Sequence, residues 1–417
     1  MNFKVITVLT FFVAVFGVGS FFGLGHYRAT EKVKLISRLR DKVKHFVSRS
    51  LIDNKELTQD INFENETYKL TYTIDQSLQE KLEKILRRYP SDHTSVVIVD
   101  NSTGAILAAA GVKKQGREIG YALPFSSTHP SASLIKLITS ADLLENNDFM
   151  SDKRYLFRGK GTTLYKYQLK DKISRWTRSM SLSRAFAISN NVIFGKAAIK
   201  DSNAQSIFDM ATRFGFNQPL MNDFEIGVSR FAMPDSQYNL AELASGFNKD
   251  TQVSPVHAAM MAQVIANEGV MKKPYLVDSI SSSEDLYSAE TRETQVISSD
   301  TAQDLRKMMI SVVEEGTARR IIKGRIGRKL KRNFYIGAKT GSITGGLPYG
   351  KRDWLTLFAE PKDMSNSGIS ISVMNINKKK WYYKSTFIAQ AVLNGFLDLE
   401  ETKKNKKIDS IEVSYGK

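Results

Sequence analysis

The chain has 417 residues, a formal net charge of +17 and no cysteine. Missing thiols exclude disulfides, thiolate metal sites and cysteine nucleophiles, and 42% hydrophobic with 25% charged residues is the composition of a globular protein with a sizeable core. The basic balance favours polyanionic surroundings such as nucleic acid, anionic lipid or an acidic cell wall. No zinc finger or aromatic RNP run accompanies it, so no nucleic-acid partner is expected.

Val5 to Gly25 contain no charged side chain and are rich in Val, Phe, Leu and Ile. That length suits a bilayer-spanning helix, which needs roughly 20 apolar residues. Residues 1–25 are expected to be a retained signal anchor, because Phe21, Phe22 and Leu24 continue the apolar run. A cleaved signal peptide is the alternative, with Gly17-Val18-Gly19 as its small-residue site. Only Lys4 precedes the span, whereas eight Lys and Arg residues follow it between Arg28 and Arg49. The positive-inside rule taken alone would keep the bulk of the chain cytoplasmic, against the outward topology that the chemistry below requires.

Residues 26–66 are expected as a basic amphipathic stalk and linker. Val33, Ile36, Leu39, Val43 and Phe46 recur at three- and four-residue steps, in a helix that either lies on anionic lipid or stands as a solvated stalk. Asn54 to Glu66 is polar and acidic, as in a linker. Leu70 to Asp75 alternates like a strand, and Asp75 can cap a helix beginning near Gln76. Strands at Ser95–Val99 and Ala105–Ala108 are joined by the turn Asn101-Ser102-Thr103-Gly104. Helices dominate from Ser133 to about Gly269. Strands return at Gly337–Gly341, Trp354–Ala359 and Ile369–Met374, before a last helix from Ser385 to Leu399 and a lysine-rich, solvated tail over 400–417.

Three clusters carry chemistry. Ser133-Leu134-Ile135-Lys136 opens a helix that is apolar nearly all round and therefore buried. Ser133 then sits in a first turn whose free N–H groups favour negative charge, and Lys136 lies on the same face within reach of the hydroxyl. Burial makes such a lysine a base near neutral pH. Taken alone, the pair also fits a helix cap with a snorkelling lysine, and Ser414 to Lys417 repeats its spacing by coincidence. Ser189-Asn190-Asn191 breaks two apolar helical stretches, and Lys339-Thr340-Gly341-Ser342 follows the small pair Gly337-Ala338. Gly341 lets a substrate backbone approach the strand, and Lys339 offers positive charge to a carboxylate. His129 is expected at the surface or as a cap, not as a base, and His257 packed in a helix. Lys378-Lys379-Lys380 is expected as a solvated strand end or turn.

In this order the clusters resemble the S-x-x-K, S-D-N and K-T-G set of penicillin-binding transpeptidases, over about Leu70 to Leu399. Val253-Ser254-Pro255-Val256, Glu315-Gly316-Thr317-Ala318 and Asp353-Trp354 resemble further landmarks of that family without a direct chemical role. With the element order above, the resemblance implies an α+β fold over residues 67–399, an antiparallel sheet flanked by helices with an all-helical subdomain and the site at their junction. It implies Ser133 as nucleophile, Lys136 as base and Ser189 as proton relay. Asn191 would hold the substrate amide; Lys339, Thr340 and Ser342 its carboxylate; and the N–H groups of Ser133 and Ser342 the oxyanion. Asn190 stands where the family pattern has aspartate.

The implied function is a penicillin-sensitive peptidoglycan D,D-transpeptidase working through a serine acyl-enzyme, without metal or organic cofactor. A D,D-carboxypeptidase with the same site, or a sensor that binds stem peptides or penicillin without turnover, are the alternatives. A β-lactamase is disfavoured, since no omega-loop glutamate with an asparagine partner is evident. The implied partners are peptidoglycan stem peptides, β-lactams, the inner membrane through the N-terminal helix, and other cell-wall synthesis proteins. The catalytic domain is expected on the periplasmic side of the cytoplasmic membrane. Only about 40 residues separate span and domain, short of the ~100–150 of a typical domain, so a stripped-down member is expected.

Overall fold

The β-branched runs of the sequence build one sheet that organises the rest. The computed structural model describes residues 30–53, 57–89, 91–116, 118–146, 151–221, 223–225, 227–283 and 285–415. Six antiparallel strands form the central sheet: β1 (His93–Asp100), β2 (Ile106–Lys113), β3 (Ile119–Gly120), β4 (Phe334–Gly345), β5 (Gly350–Pro361) and β6 (Ile369–Asn377). Their spatial order is β4-β5-β6-β1-β2-β3, so β4 is an edge strand. Every residue of β6 is buried, as expected of a strand covered on both faces.

The principal helices, in chain order, are α1 (30–52), α2 (Gln76–Arg88), α3 (Lys136–Asn146), α4 (Leu182–Ala187), α5 (Asn191–Asp201), α6 (Ala204–Arg213), α7 (Gln237–Ser245), α8 (Pro255–Ala266), α9 (Ser299–Glu314), α10 (Gly324–Asn333) and α11 (Ser385–Tyr415). Helix α8 lies on one face of the sheet, where its carbonyls accept from the hydroxyls of Thr356 and Ser372. Helices α2 and α11 cover the other: buried Gln79 exchanges two hydrogen bonds with Ala109 of β2, and the N–H of Ser385 donates to Asp353 of β5. Asp75 caps α2 by accepting from the N–H of Leu78 at 3.0 Å. Helices α3 to α7 form the helical subdomain. The α+β architecture expected from the sequence is the one observed.

Five local expectations change. The stretch 54–66 is not all linker: Asp60–Phe63 pairs with Glu66–Tyr72 across Glu64-Asn65, whose φ angles of 48° and 68° make a tight hairpin turn. This hairpin joins Val277–Ser281 and Asp285–Ser288 in a four-stranded sheet, so the domain begins before residue 67. The segment read as helical from Ser133 to Gly269 also contains the ribbon of Arg154–Phe157 and Arg178–Ser181, where only Tyr155 and Phe157 turn inward. Helix α11 does not end at Leu399. It continues to Tyr415, supported by Lys403 bonded to Asp75 and Glu400 and by Lys329 bonded to Glu401. The fifth change concerns α1.

Leu39, Val43, Val47 and Leu51 recur every four residues and are at most 2% exposed, packed into the core of the domain. Around this stripe Lys44 pairs with Glu225 at 3.2 Å, Arg38 with Glu64 at 2.7 Å, and the Arg40 guanidinium lies 4.7 Å from the Tyr287 ring centre. The helix is thus neither a solvated stalk nor laid on lipid by this face. From Leu39 onward its apolar side is used up by the protein, while Val33 stays 68% exposed. The expected membrane span at 5–25 lies outside the described residues, among which no helix is long and apolar enough to cross a membrane. Leu39→Ala and Leu51→Ala should each lower unfolding free energy by about 2–5 kcal/mol, and Val33→Ala by less than about 0.5 kcal/mol, in urea titrations. Equal, negligible effects at all three positions would show that α1 is undocked.

Candidate active site

Pro130 and Ser131 lead into a single turn of 3₁₀ helix, Ala132–Ile135, that continues into α3 and carries Ser133. Two neighbours clamp this turn. The indole N–H of Trp354 donates to the Pro130 carbonyl at 3.0 Å, and the Ser131 N–H donates to the Thr251 carbonyl at 2.9 Å. Ala132 takes φ +50°, unusual for a residue with a Cβ. Gly246, at φ +70° after α7, allows this because a Cβ there would fall 2.0 Å from the Ala132 carbonyl oxygen. Gly341 of β4 has a similar duty: its Cβ would stand 3.1 Å from both the Ala132 Cβ and the Ser133 nitrogen. The missing side chain therefore admits the turn that carries Ser133, where the sequence suggested room for a substrate backbone.

Lys136 is fully buried. Its Nζ lies 2.8 Å from Ser133 Oγ and 2.8 Å from Asn191 Oδ1, and it donates to the Ser245 carbonyl at the end of α7. Burial first, and the neighbouring charge of Lys339 second, hold its pKa well below the usual lysine range. A neutral amine has two N–H donors and one lone pair. Asn191 Oδ1 and the Ser245 carbonyl are pure acceptors; with the amine neutral they would take both donors and leave the lone pair for the Ser133 hydroxyl.

Asn191 is held on its other side by Nδ2 donating to the Thr162 carbonyl at 3.1 Å and by its own N–H donating to the Gly161 carbonyl at 2.6 Å. It thus serves first as the lysine's acceptor, a contact not foreseen from the sequence. Asn190 caps α5 by accepting from the Ile193 N–H, which either asparagine or aspartate does well. Ser189 sits at φ +58° between α4 and α5, and its Oγ accepts from Lys339 Nζ at 3.1 Å.

Lys339 is also fully buried, donates to the Thr340 carbonyl at 2.8 Å, and lies 5.4 Å from the Phe186 ring centre. Burial pushes its pKa down to about 7. The Thr340 hydroxyl pairs with that of Thr317, and the Thr317 N–H donates to the Ala187 carbonyl at 3.1 Å. The Glu315-Gly316-Thr317 turn thereby ties the K-T-G strand to the helix that delivers Ser189. Ser342 is exposed on the same edge strand, in register with Asp353.

The structure therefore joins Ser133, Lys136 and Asn191 directly, and Ser189 with Lys339, beside Thr340, Gly341 and Ser342. The Ser245 carbonyl was missed because a backbone acceptor leaves no mark in a sequence. His129 is corrected: it is buried, not at the surface, and its Nδ1 accepts from the Arg352 guanidinium at 3.1 and 3.3 Å. Burial and then the charge of Arg352 lower its pKa to about 3, which leaves it neutral. His257 packs in α8 as expected, 2.8 Å from the Phe214 carbonyl. Lys378 to Lys380 form an exposed bend after β6.

Three kinds of comparison relate the chain to known proteins. The chain is 25% identical over 228 residues to penicillin-binding protein 3 of Bacillus subtilis (strain 168), an overlap of 53% of this chain and 32% of that protein. It is 24% identical over 229 residues to stage V sporulation protein D of the same organism, 53% of this chain and 33% of that one. The chain thus matches about a third of the length of these curated relatives. In fold it resembles penicillin-binding protein 3 of Mycobacterium tuberculosis in complex with aztreonam, at a TM-score of 0.64, 18% identity and 80% coverage of each chain. It also resembles the D,D-transpeptidase domain of a peptidoglycan glycosyltransferase from Eggerthella lenta, at a TM-score of 0.62, 22% identity, and coverage of 80% of this chain and 84% of that one. The family model for the penicillin binding protein transpeptidase domain matches residues 94–398, which include all three clusters, and the chain belongs to that family.

Proposed function

We propose that the chain is a serine D,D-transpeptidase that cross-links peptidoglycan stem peptides and is acylated by penicillins at Ser133. The observation that carries this reading is the 2.8 Å approach of a buried, doubly accepted Lys136 to the Ser133 hydroxyl. In the acylation step neutral Lys136 takes the Ser133 proton while Oγ bonds to the carbonyl carbon of the penultimate D-alanine. The N–H groups of Ser133 and Ser342 hold the oxyanion, each worth about 3 kcal/mol in the transition state. The C–N bond then breaks, and the departing D-alanine amine receives its proton through Ser189. An amine from a second stem attacks the ester, loses a proton to the lysine system and releases Ser133. Charged Lys339, with the hydroxyls of Thr340 and Ser342, grips the terminal carboxylate of the donor stem.

We place the catalytic domain outside the cytoplasmic membrane, anchored by residues 5–25, because the stem peptide lies there; other wall-synthesis proteins are its natural partners. A periplasm-specific reporter fused after Lys417 should be active, and a silent one would reverse this topology.

Fluorescent penicillin should label the parent covalently and leave Ser133→Ala unlabelled; persistent labelling would remove Ser133 as nucleophile. Lys339→Ala should slow acylation about 10–100-fold, the loss of one charged hydrogen-bond partner. With stem peptides the expected product is the cross-linked dimer. Release of D-alanine without dimers would make the protein a carboxypeptidase, and neither product would make it a sensor.

The pH profile follows from the two lysines. Acylation needs Lys136 neutral and Lys339 charged, so the rate at low penicillin rises with pH through the depressed pKa of Lys136. It then falls as Lys339 deprotonates near about 7. Lys339→Arg should remove the alkaline limb, because a guanidinium stays charged across the range. An unchanged limb would assign it to another group.

A further inference from the structure

Nine Lys and Arg residues against the single acid Asp171 crowd the segment from Lys153 to Arg178, which leads toward the Ser189 cluster. Asp171 is spent on α5, where it pairs with Lys196 at 2.8 Å and with Lys200. The side chains this segment leaves exposed are basic and aromatic: Tyr165, Tyr167 and Trp176 are 55%, 54% and 69% exposed. Tyr165 and Tyr167 are stacked, ring centres 5.8 Å apart and 11° from parallel, and the Arg175 guanidinium lies over the Trp176 ring. Lys160, Lys170 and Lys172 of the same segment are exposed as well.

This surface is built in place. Gln168 is fully buried and bonds the carbonyls of Arg158 and Lys160, while its own carbonyl accepts from the Tyr165 N–H and the Thr163 hydroxyl. Tyr238 of α7 donates to the Leu164 carbonyl at 3.0 Å. The carbonyls of Gly161 and Thr162 hold Asn191 itself. The segment is therefore fastened to the catalytic asparagine at one end and to the body of α5 through Asp171. Large exposed aromatic side chains on a fastened segment mark an interaction surface, and flat aromatic faces accompanied by cations suit a ligand that carries both sugar rings and carboxylates.

Resting on the transpeptidase reading, we propose that residues 158–178 are a binding platform for the glycan strand of peptidoglycan, with sugar rings stacked on Tyr165, Tyr167 and Trp176 and stem carboxylates paired with Lys160, Lys170 and Lys172. Anchorage beside Asn191 lets one polymeric substrate be held by its strand while its stem enters the cleft. Small acylating agents do not reach the platform and ignore it.

The test uses the full chain in detergent, with two variants: Y165A/Y167A/W176A and K160Q/K170Q/K172Q. The parent should co-sediment with purified peptidoglycan and be released by soluble disaccharide-stem fragments. Each variant should bind about tenfold more weakly while labelling with penicillin at the parental rate. Parental sedimentation of either variant overturns the proposal, and so does release of the parent by heparin as readily as by the fragments, which would reveal a general polyanion surface. Should a triple variant fail to label, Trp176→Ala and Lys172→Gln carry the same test from exposed positions. A parent that binds peptidoglycan but takes no penicillin would refute the transpeptidase reading and leave the platform standing.

Discussion

The removal of Lys136 from water is the constraint on which the site depends. In solvent a lysine amine is protonated at neutral pH and is no base; within the core the charged form loses its hydration and the balance shifts toward the neutral form. The fold supplies the two acceptors that such an amine needs from 55 and 109 positions away, Asn191 at the start of α5 and the Ser245 carbonyl at the end of α7. A second buried lysine on β4 adds like charge from the other wall. Apposing the helical subdomain to the sheet edge is what brings these groups together.

Strain is stored on both sides of the cleft. Ala132 and Ser189 both occupy the left-handed region, a conformation that costs a residue with a Cβ about 1–3 kcal/mol. Neither is free to relax. Ala132 is wedged between Gly246 and Gly341, and Ser189 is held by its N–H donating to the Phe186 carbonyl and by Lys339 on its hydroxyl. Ser133 and Ser189 are thereby held in place, the preorganisation that the proposed acyl transfer calls for.

Most of the sheet was legible in the sequence because β-branched runs are local signals, whereas the three clusters stood out only through their ordered resemblance to a known family, each fitting a cap or loop when taken alone. Asp75 as a helix cap and β4 as the strand bearing Lys339 needed nothing distant. The failures share a cause. The docking of α1 depends on which partner its apolar stripe finds, and an amphipathic helix reads the same on lipid as on protein. The hairpin around Glu64-Asn65 hides in a polar stretch, since both turn residues adopt positive φ without being glycine. His129 looks like an exposed residue before a helix until Arg352, 223 positions later, is folded over it. The work of Asn191 on Lys136 is equally non-local, and spacing alone could assign it only by analogy.

Helix α1 adds a mechanical dimension. A rod of 23 residues seated on the domain along four successive turns has a length of about 35 Å and no joint within it. Whatever grips its outer end therefore sets the bearing of the cleft as well as its distance, much as a handle aims a tool. A supple segment in its place would let the mouth of the cleft sweep in all directions; a rod of this kind narrows the arc.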